Sequence, residues 1–381
     1  MMRYARHGLL MTLREGDAED ARGSLGVSPE ELIEIPEAEQ QEGVRGELLT
    51  KLAVLPLHGG VARHRPRWKG LGRRRATANP VPHLLAKRTP PPKFDGMDGP
   101  PLLRVRDLGV TFRSGGADTV ASSGVCYDLA AGEILAVVGE SGSGKSVSAL
   151  ALTRLLPPEP ACRVSGSVLL QGEELVGLPD SALARIRGKR IAYIFQEPGT
   201  SMNPVYTIGF QIGEAVRAHR AEIATADVRR TIEDSLAAVG IREPGRVADS
   251  YPHELSGGML QRAMIAMALA CDPKVLVADE PTTALDVTIQ KQIIELLARL
   301  RKERGMSILL ITHNFGIVAN MADNVLVMSQ GRVVEQGPVA QVMSAPRHPY
   351  TRGLIACIPR LGQRRRRLPT LDDHLRETAQ P

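Results

Sequence analysis

Eight consecutive residues carry the most specific chemistry in this chain: Gly139, Glu140, Ser141, Gly142, Ser143, Gly144, Lys145 and Ser146. Glycines at the first and sixth places, followed by Lys and Ser, are what a backbone needs to wrap closely around phosphate oxygens and point its N–H groups at them. A helical pattern follows through Val147, Ala149, Leu150, Leu152 and Leu155, and a helix N-terminus is already favourable to anions. In such a loop the lysine reaches the β- and γ-phosphates and the serine hydroxyl ligates Mg²⁺. The apolar run Ile134 to Val138 comes directly before it. The loop therefore sits between a strand and a helix, the context that makes nucleoside triphosphate binding the expected chemistry.

Two further motifs narrow that chemistry. Val275 to Ala278 is another apolar run, and it ends on Asp279 and Glu280. A carboxylate closing a buried strand can hold Mg²⁺, and the next one is placed to polarise an attacking water as general base. Leu255, Ser256, Gly257, Gly258 and Met259 then open the helical pattern Leu260 to Leu269, a second helix start with unpaired N–H groups.

On these residues the chain resembles the ATP-binding cassette (ABC) ATPases, whose signature loop is Leu-Ser-Gly-Gly-Gln. The resemblance implies that two cassettes pair head to tail, so that Ser256, Gly257 and Gly258 close over the γ-phosphate held by the partner's loop. Met259 stands where the family usually has Gln, and Leu260 where Arg is frequent. The resemblance also gives roles to residues further along the chain. Gln196, in Ile194 to Pro198, looks like the Q-loop glutamine that contacts Mg²⁺ or the attacking water. Asp286, in Thr283 to Asp286, looks like the D-loop. His313, after Ile311 and Thr312, looks like the histidine that touches the γ-phosphate, with Asn314 where Asp is common. Phe112 matches the aromatic that stacks on adenine, and it reads equally well as a core strand residue.

The elements that must position these groups are legible as pattern. Leu102 to Phe112 alternates apolar and polar residues like a half-buried strand, and Val125 to Leu129 gives a second such strand. Ile134–Val138, Val275–Ala278 and Ile308–Ile311 are apolar throughout, as central parallel strands are. Strands alternating with helices imply a doubly wound α/β sheet. With the resemblance, which covers roughly residues 101–361, the expected fold is a P-loop NTPase core with a parallel sheet, an antiparallel β subdomain and an α-helical signature subdomain.

Composition frames the rest. The 381 residues carry a net charge of +6, and the four cysteines are widely spaced, which reads as a reducing, intracellular setting. No apolar run approaches the roughly 18 residues needed to cross a bilayer. Residues 1–50 hold five Arg against eleven acids, whereas residues 51–94 hold eleven Lys and Arg and no acid. The latter stretch is also rich in proline, and residues 1–98 read as a low-order extension, with a short helix around Pro29 to Glu34 capped by Ser28. Met97 is an alternative start. Residues 99–345 read as the ATPase domain and 346–381 as a C-terminal extension with the basic tail Arg364 to Arg367.

Only 109 residues separate Lys145 from Leu255, too few for a coiled-coil insertion, and the length holds one cassette. A separate ATPase subunit serving a separate permease is what remains. Gln196 to Pro204, Tyr251 to Glu254 and Pro346 to Leu354 resemble the oligopeptide/dipeptide importer ATPases, which also serve nickel. That resemblance implies a second ABC ATPase subunit, giving a heterodimer, together with two transmembrane permease subunits and an extracytoplasmic solute-binding protein. ATP and Mg²⁺ are the expected cofactors, Ser146, Gln196 and Asp279 the expected Mg²⁺ ligands, and the cytoplasmic face of the inner membrane the expected location. With Cys357 alone in the extension, no iron–sulfur cluster is expected there. The competing reading, suggested by the basic charge, is a soluble nucleic-acid-associated ABC ATPase; nucleic acid is not the expected partner.

Overall fold

The computed structural model describes residues 100–358 other than 284, and the backbone of residues 2–6, 9–13 and 33–34. These N-terminal segments, β1 (Met2–Arg6), β2 (Leu9–Leu13) and β3 (Ile33–Glu34), form an antiparallel sheet in the order β2-β1-β3. The helix expected up to Glu34 is not what Ile33 and Glu34 form. They pair with Ala5 and Tyr4, and main-chain groups engaged across a sheet are not available to close helical turns. The other expectations for residues 1–98, and for Arg364 to Arg367, lie outside the described residues.

Residues 100–358 belong to a second compact unit. It opens with four antiparallel strands, β4 (Leu103–Ser114), β5 (Ala117–Leu129), β7 (Cys162–Leu170) and β8 (Glu173–Glu174), ordered β5-β4-β7-β8. The alternation expected along β4 holds in two halves that are out of phase. Leu103 and Val105 are buried, then Leu108 and Val110. The register against β5 slips between them, and Asp107 has φ of 50°. A bulge there resets which face looks inward.

The central sheet has six strands in the order β13-β12-β6-β11-β10-β9. They are β6 (Ile134–Val138), β9 (Ile191–Ile194), β10 (Val275–Asp279), β11 (Ser307–Ile311), β12 (Asn324–Ser329) and β13 (Arg332–Pro338). All neighbours are parallel except the β12–β13 pair. Every residue of β6 and β11 is buried, as is Val275 to Ala278. The three apolar runs are therefore central strands covered on both faces.

Eleven described α-helices surround the sheet. The first three are α1 (Lys145–Ala151), α2 (Asp180–Ile186) and α3 (Pro198–Ser201). Next come α4 (Ile208–His219), α5 (Val228–Ala238), α6 (Pro244–Asp249) and α7 (Gly257–Leu269). The last four are α8 (Val287–Arg304), α9 (Phe315–Met321), α10 (Val339–Ser344) and α11 (Pro349–Ala356). Helices α4 to α8 share one core with one face of the sheet, through Ile212, Ile232, Met264, Leu297 and Leu310. The antiparallel strands share another core with the opposite face, through Leu103, Val125, Val168, Val137 and Leu309. A third cluster joins β6 and β12 to α9, α10 and α11. No described helix is long and apolar enough to cross a membrane.

The strand order positions the chemistry. Because β6, β11, β10 and β9 are parallel neighbours, their carboxyl ends lie side by side. Residues 139–146, His313, Asp279 with Glu280, and Gln196 follow those four ends in turn, where open α/β sheets bind ligands.

Candidate functional site

The loop Gly139–Ser146 can be built only on its glycines. Gly139 and Gly144 have φ of 154° and 95°. A Cβ at Gly139 would lie 2.2 Å from the Met328 carbonyl oxygen, and one at Gly144 would lie 2.6 Å from that of Ala121. Gly144 leads into α1 with no side chain capping the helix, which leaves the loop side of its first turn without an internal acceptor.

Lys145 is 6% exposed. Its ammonium donates to the carbonyls of Gly139 at 2.9 Å and Glu140 at 2.7 Å, and reaches the Ser143 hydroxyl at 3.4 Å. Burial lowers its pKa, opposed by the negative charge of Glu280, Asp279 and Glu140. Such a cation gains from an arriving polyanion. Tyr193, on β9, anchors the helix behind the loop: its hydroxyl donates to Ala149 at 3.1 Å and pairs with that of Thr153 at 2.9 Å.

Ser146 donates its hydroxyl to Asp279 Oδ1 at 3.0 Å. Two oxygens on adjacent corners of an octahedron with bonds of about 2.1 Å stand about 3.0 Å apart, so this pair fits one Mg²⁺. Burial pushes the Asp279 carboxyl above its ordinary range, and the Ser146 hydrogen bond opposes that shift. A divalent cation would compensate the same buried charge. No cluster of three or more His, Cys, Asp or Glu suited to a metal occurs among the described residues.

Glu280 is the hub of the site. It has a left-handed φ of 46° and donates its N–H to the Ile311 carbonyl at 2.9 Å. Non-glycine residues in that region cluster at functional sites. Its Oε2 accepts from Gln196 Nε2 at 3.1 Å and from the Thr283 hydroxyl at 2.9 Å, while Oε1 faces His313 Nδ1 at 3.2 Å. The His313 side chain is 67% exposed and Glu280's is 17% exposed: the carboxylate is held from within and the imidazole is open to a ligand. Three residues drawn from separate motifs thus meet around one carboxylate. Asn314 caps α9, accepting from the N–H groups of Gly316 and Ile317.

The other expected residues lie elsewhere. Ser256 caps α7, its hydroxyl accepting from Met259 N at 3.4 Å. A Cβ on Gly258 would meet Ile289 at 3.0 Å and one on Gly257 would meet Leu285 at 3.7 Å, so this helix start packs against the start of α8. Asp286 caps α8 through Ile289 N at 3.0 Å. Among the described residues, none of these groups hydrogen-bonds to residues 139–146. Phe112 pairs with Thr119 and Cys162 across the antiparallel sheet and packs half-buried against its core.

Two partners escaped the sequence reading. Thr283 reads in sequence as part of the loop before Asp286, although its position three residues after Glu280 suits a turn that folds a hydroxyl back. Tyr350 has its hydroxyl 3.1 Å from the N–H of Glu140. A separation of 210 residues gave no local signal for that contact.

Comparison with known proteins places this geometry in a family context. The family model described as "ABC transporter" matches residues 123–283, and "Oligopeptide/dipeptide transporter, C-terminal region" matches residues 334–381. The peptidoglycan transport ATP-binding protein YejF of Agrobacterium fabrum is 54% identical over 260 residues, covering 68% of this chain and 47% of its own length. This chain therefore spans about half of that relative. A putative peptide import ATP-binding protein of Brucella ovis is 49% identical over 271 residues, covering 70% of this chain and 80% of the relative. Among solved structures, a dimeric post-hydrolysis ATP-binding cassette with bound ADP and phosphate matches with a TM-score of 0.56 at 26% identity, covering 62% of this chain and 98% of that one.

Proposed function

The chain belongs to the ABC transporter ATPases, and from that premise we propose that it couples ATP hydrolysis to the import of dipeptides, oligopeptides or related solutes such as nickel. Support for peptide as cargo comes from the match at residues 334–381 and from the Brucella relative, which is named a putative peptide import ATP-binding protein. The nucleic-acid-associated alternative finds no counterpart among these relatives.

In this reading ATP lies in the loop Gly139–Ser146, with Phe112 beside the adenine. Ser146, Asp279 and Gln196 would hold Mg²⁺, which would neutralise charge on the phosphates. Glu280 accepts the proton of the attacking water, and Gln196 and His313 sense the γ-phosphate. Ser256, Gly257 and Gly258, with Asp286, serve the nucleotide of a second ABC ATPase subunit, most simply a different protein. Two permease subunits and an extracytoplasmic solute-binding protein complete the importer, with this chain on the cytoplasmic face of the inner membrane. Residues 1–98, 99–345 and 346–381 then act as extension, ATPase domain and importer-specific extension.

One observation carries the proposal: a single carboxylate, one residue past the Ser146–Asp279 oxygen pair, gathers Gln196 and His313. A proton acceptor next to a metal-binding pair is the arrangement hydrolysis needs. In the assembled transporter, Glu280→Gln should bind ATP within about threefold of the wild type while steady hydrolysis falls by about 10²-fold or more. Retained turnover would remove Glu280 from this role.

A further inference from the structure

We propose that Tyr350, in the C-terminal extension, is a positioning residue for the nucleotide: its hydroxyl fixes the first peptide of the phosphate loop. This rests on the reading of residues 139–146 as the ATP loop.

The peptide between Gly139 and Glu140 is held at both ends. Its carbonyl accepts from Lys145 Nζ at 2.9 Å, and its N–H donates to the Tyr350 hydroxyl at 3.1 Å. The hydroxyl lies 3.5 Å from Glu140 Oε2 and can donate to it. Lys145 divides its three donors among loop acceptors, and an arriving phosphate competes for them. Tyr350 is a hold on that peptide for which phosphate does not compete. Gly139, with φ of 154°, gives the loop little stiffness of its own at this point.

The tyrosine is itself fixed. It is 6% exposed, with its ring in the cluster formed by Ala136, Val138, Phe315, Val325 and Val327. The segment carrying it is pinned to β13. Glu335 accepts the N–H groups of Arg347 at 2.7 Å and His348 at 3.0 Å, and His348 Nδ1 accepts the N–H of Tyr350 at 3.2 Å. The run Arg347 to Tyr350 therefore reads as a bracket: Glu335 anchors it, His348 caps α11 with Pro349 in its first turn, and Tyr350 reaches the loop. Coupling of this kind is reciprocal, so nucleotide binding should steady α11 as much as α11 steadies the loop.

The test is Tyr350→Phe in the full chain, which keeps the ring and deletes the hydroxyl. Calorimetric titration with MgADP should show about threefold to tenfold weaker binding, the span of one net hydrogen bond, at unchanged stoichiometry. In the assembled transporter KM for ATP should rise by a similar factor, with kcat changed less than about twofold. Amide exchange over residues 349–356 should slow when MgADP binds the wild type, and slow less in the variant. Glu335→Ala, which loosens the bracket without touching the loop, should weaken MgADP binding in the same direction. The double variant should lose no more than Tyr350→Phe alone. Unchanged affinity in Tyr350→Phe overturns the proposal, as does a loss seen only as reduced stoichiometry or strictly additive losses in the double variant. A wild-type chain that binds no MgADP would overturn the nucleotide reading itself, and this inference with it.

Discussion

Replacing Thr283 by Val tests the carboxylate hub without removing any group assigned to the reaction. The two side chains have nearly the same shape, so the change deletes one O–H donor and little else. That donor reaches Glu280 Oε2 at 2.9 Å, alongside Gln196 Nε2 at 3.1 Å. A hydrogen bond to a charged group is worth about 1.5–3 kcal/mol when well buried. With Glu280 17% exposed, water can partly replace the lost donor, which brings the figure to about 1–2 kcal/mol. If the hydroxyl serves to aim the carboxylate at water, the loss appears in the barrier as about a fivefold to thirtyfold fall in kcat. KM for ATP and the affinity for MgADP should stay within twofold, since the Thr283 hydroxyl donates to Glu280 and not to the phosphate loop. The assay is steady-state hydrolysis by the assembled transporter across an ATP range, with calorimetric MgADP binding on the same preparation. The fall must also be smaller than that of Glu280→Gln, and adding Thr283→Val to that variant should cost nothing further. A kcat within twofold of wild type would refute the idea that Thr283 aims the base. A matching rise in KM would move the residue to binding instead.

Asp279→Asn should trade function for stability. Burial raises the Asp279 carboxyl above its ordinary value of 3.8, so the folded chain binds that proton more tightly than the unfolded one. The aspartate then costs stability progressively as pH rises above the ordinary value. The nucleotide-free variant should melt above the wild type at pH 7, lose that advantage below about pH 4, and show little stabilisation by MgADP; a variant melting below the wild type at pH 7 contradicts the sign. Gly144→Ala places a Cβ 2.6 Å from the Ala121 carbonyl at φ of 95°. It should cost about 2 kcal/mol or more, or roughly 4–8 °C in Tm, and weaken MgADP binding; an unchanged melting curve would show that the loop can relax around a side chain.

The legible parts of this protein are those whose cause is local. Residues 139–146 announce themselves because a phosphate cradle needs its glycines, lysine and serine within one turn of chain. Ile134–Val138, Val275–Ala278 and Ile308–Ile311 announce themselves because a strand covered on both faces has no place for a polar side chain. The phase slip in β4 is marked in the sequence by Arg106 and Asp107, two adjacent polar residues that break the alternation, but that they form a bulge follows only from the register against β5. The caps at Ser256 and Asp286 follow from sequence alone once a helix start is placed after them, yet the packing of Gly258 on Ile289 requires two helices to meet. Thr283 is an intermediate case, close to Glu280 in the chain but identified as its partner only through the turn between them.

Tyr350 marks the far limit of legibility. The run Pro346 to Leu354 can be recognised as a family feature from its residue types, but the reason for a tyrosine at position 350 lies in a peptide 210 residues upstream. β6 and β12 are parallel neighbours in the sheet, and the ring packs against both. That adjacency is a property of strand order, which no window along the chain contains. A contact made by a side chain across the sheet therefore stays silent in the sequence even when both of its ends lie in recognisable motifs. This is why the bracket from Glu335 to Tyr350 exists only in the folded chain, whereas the loop it holds is spelled out in eight consecutive residues.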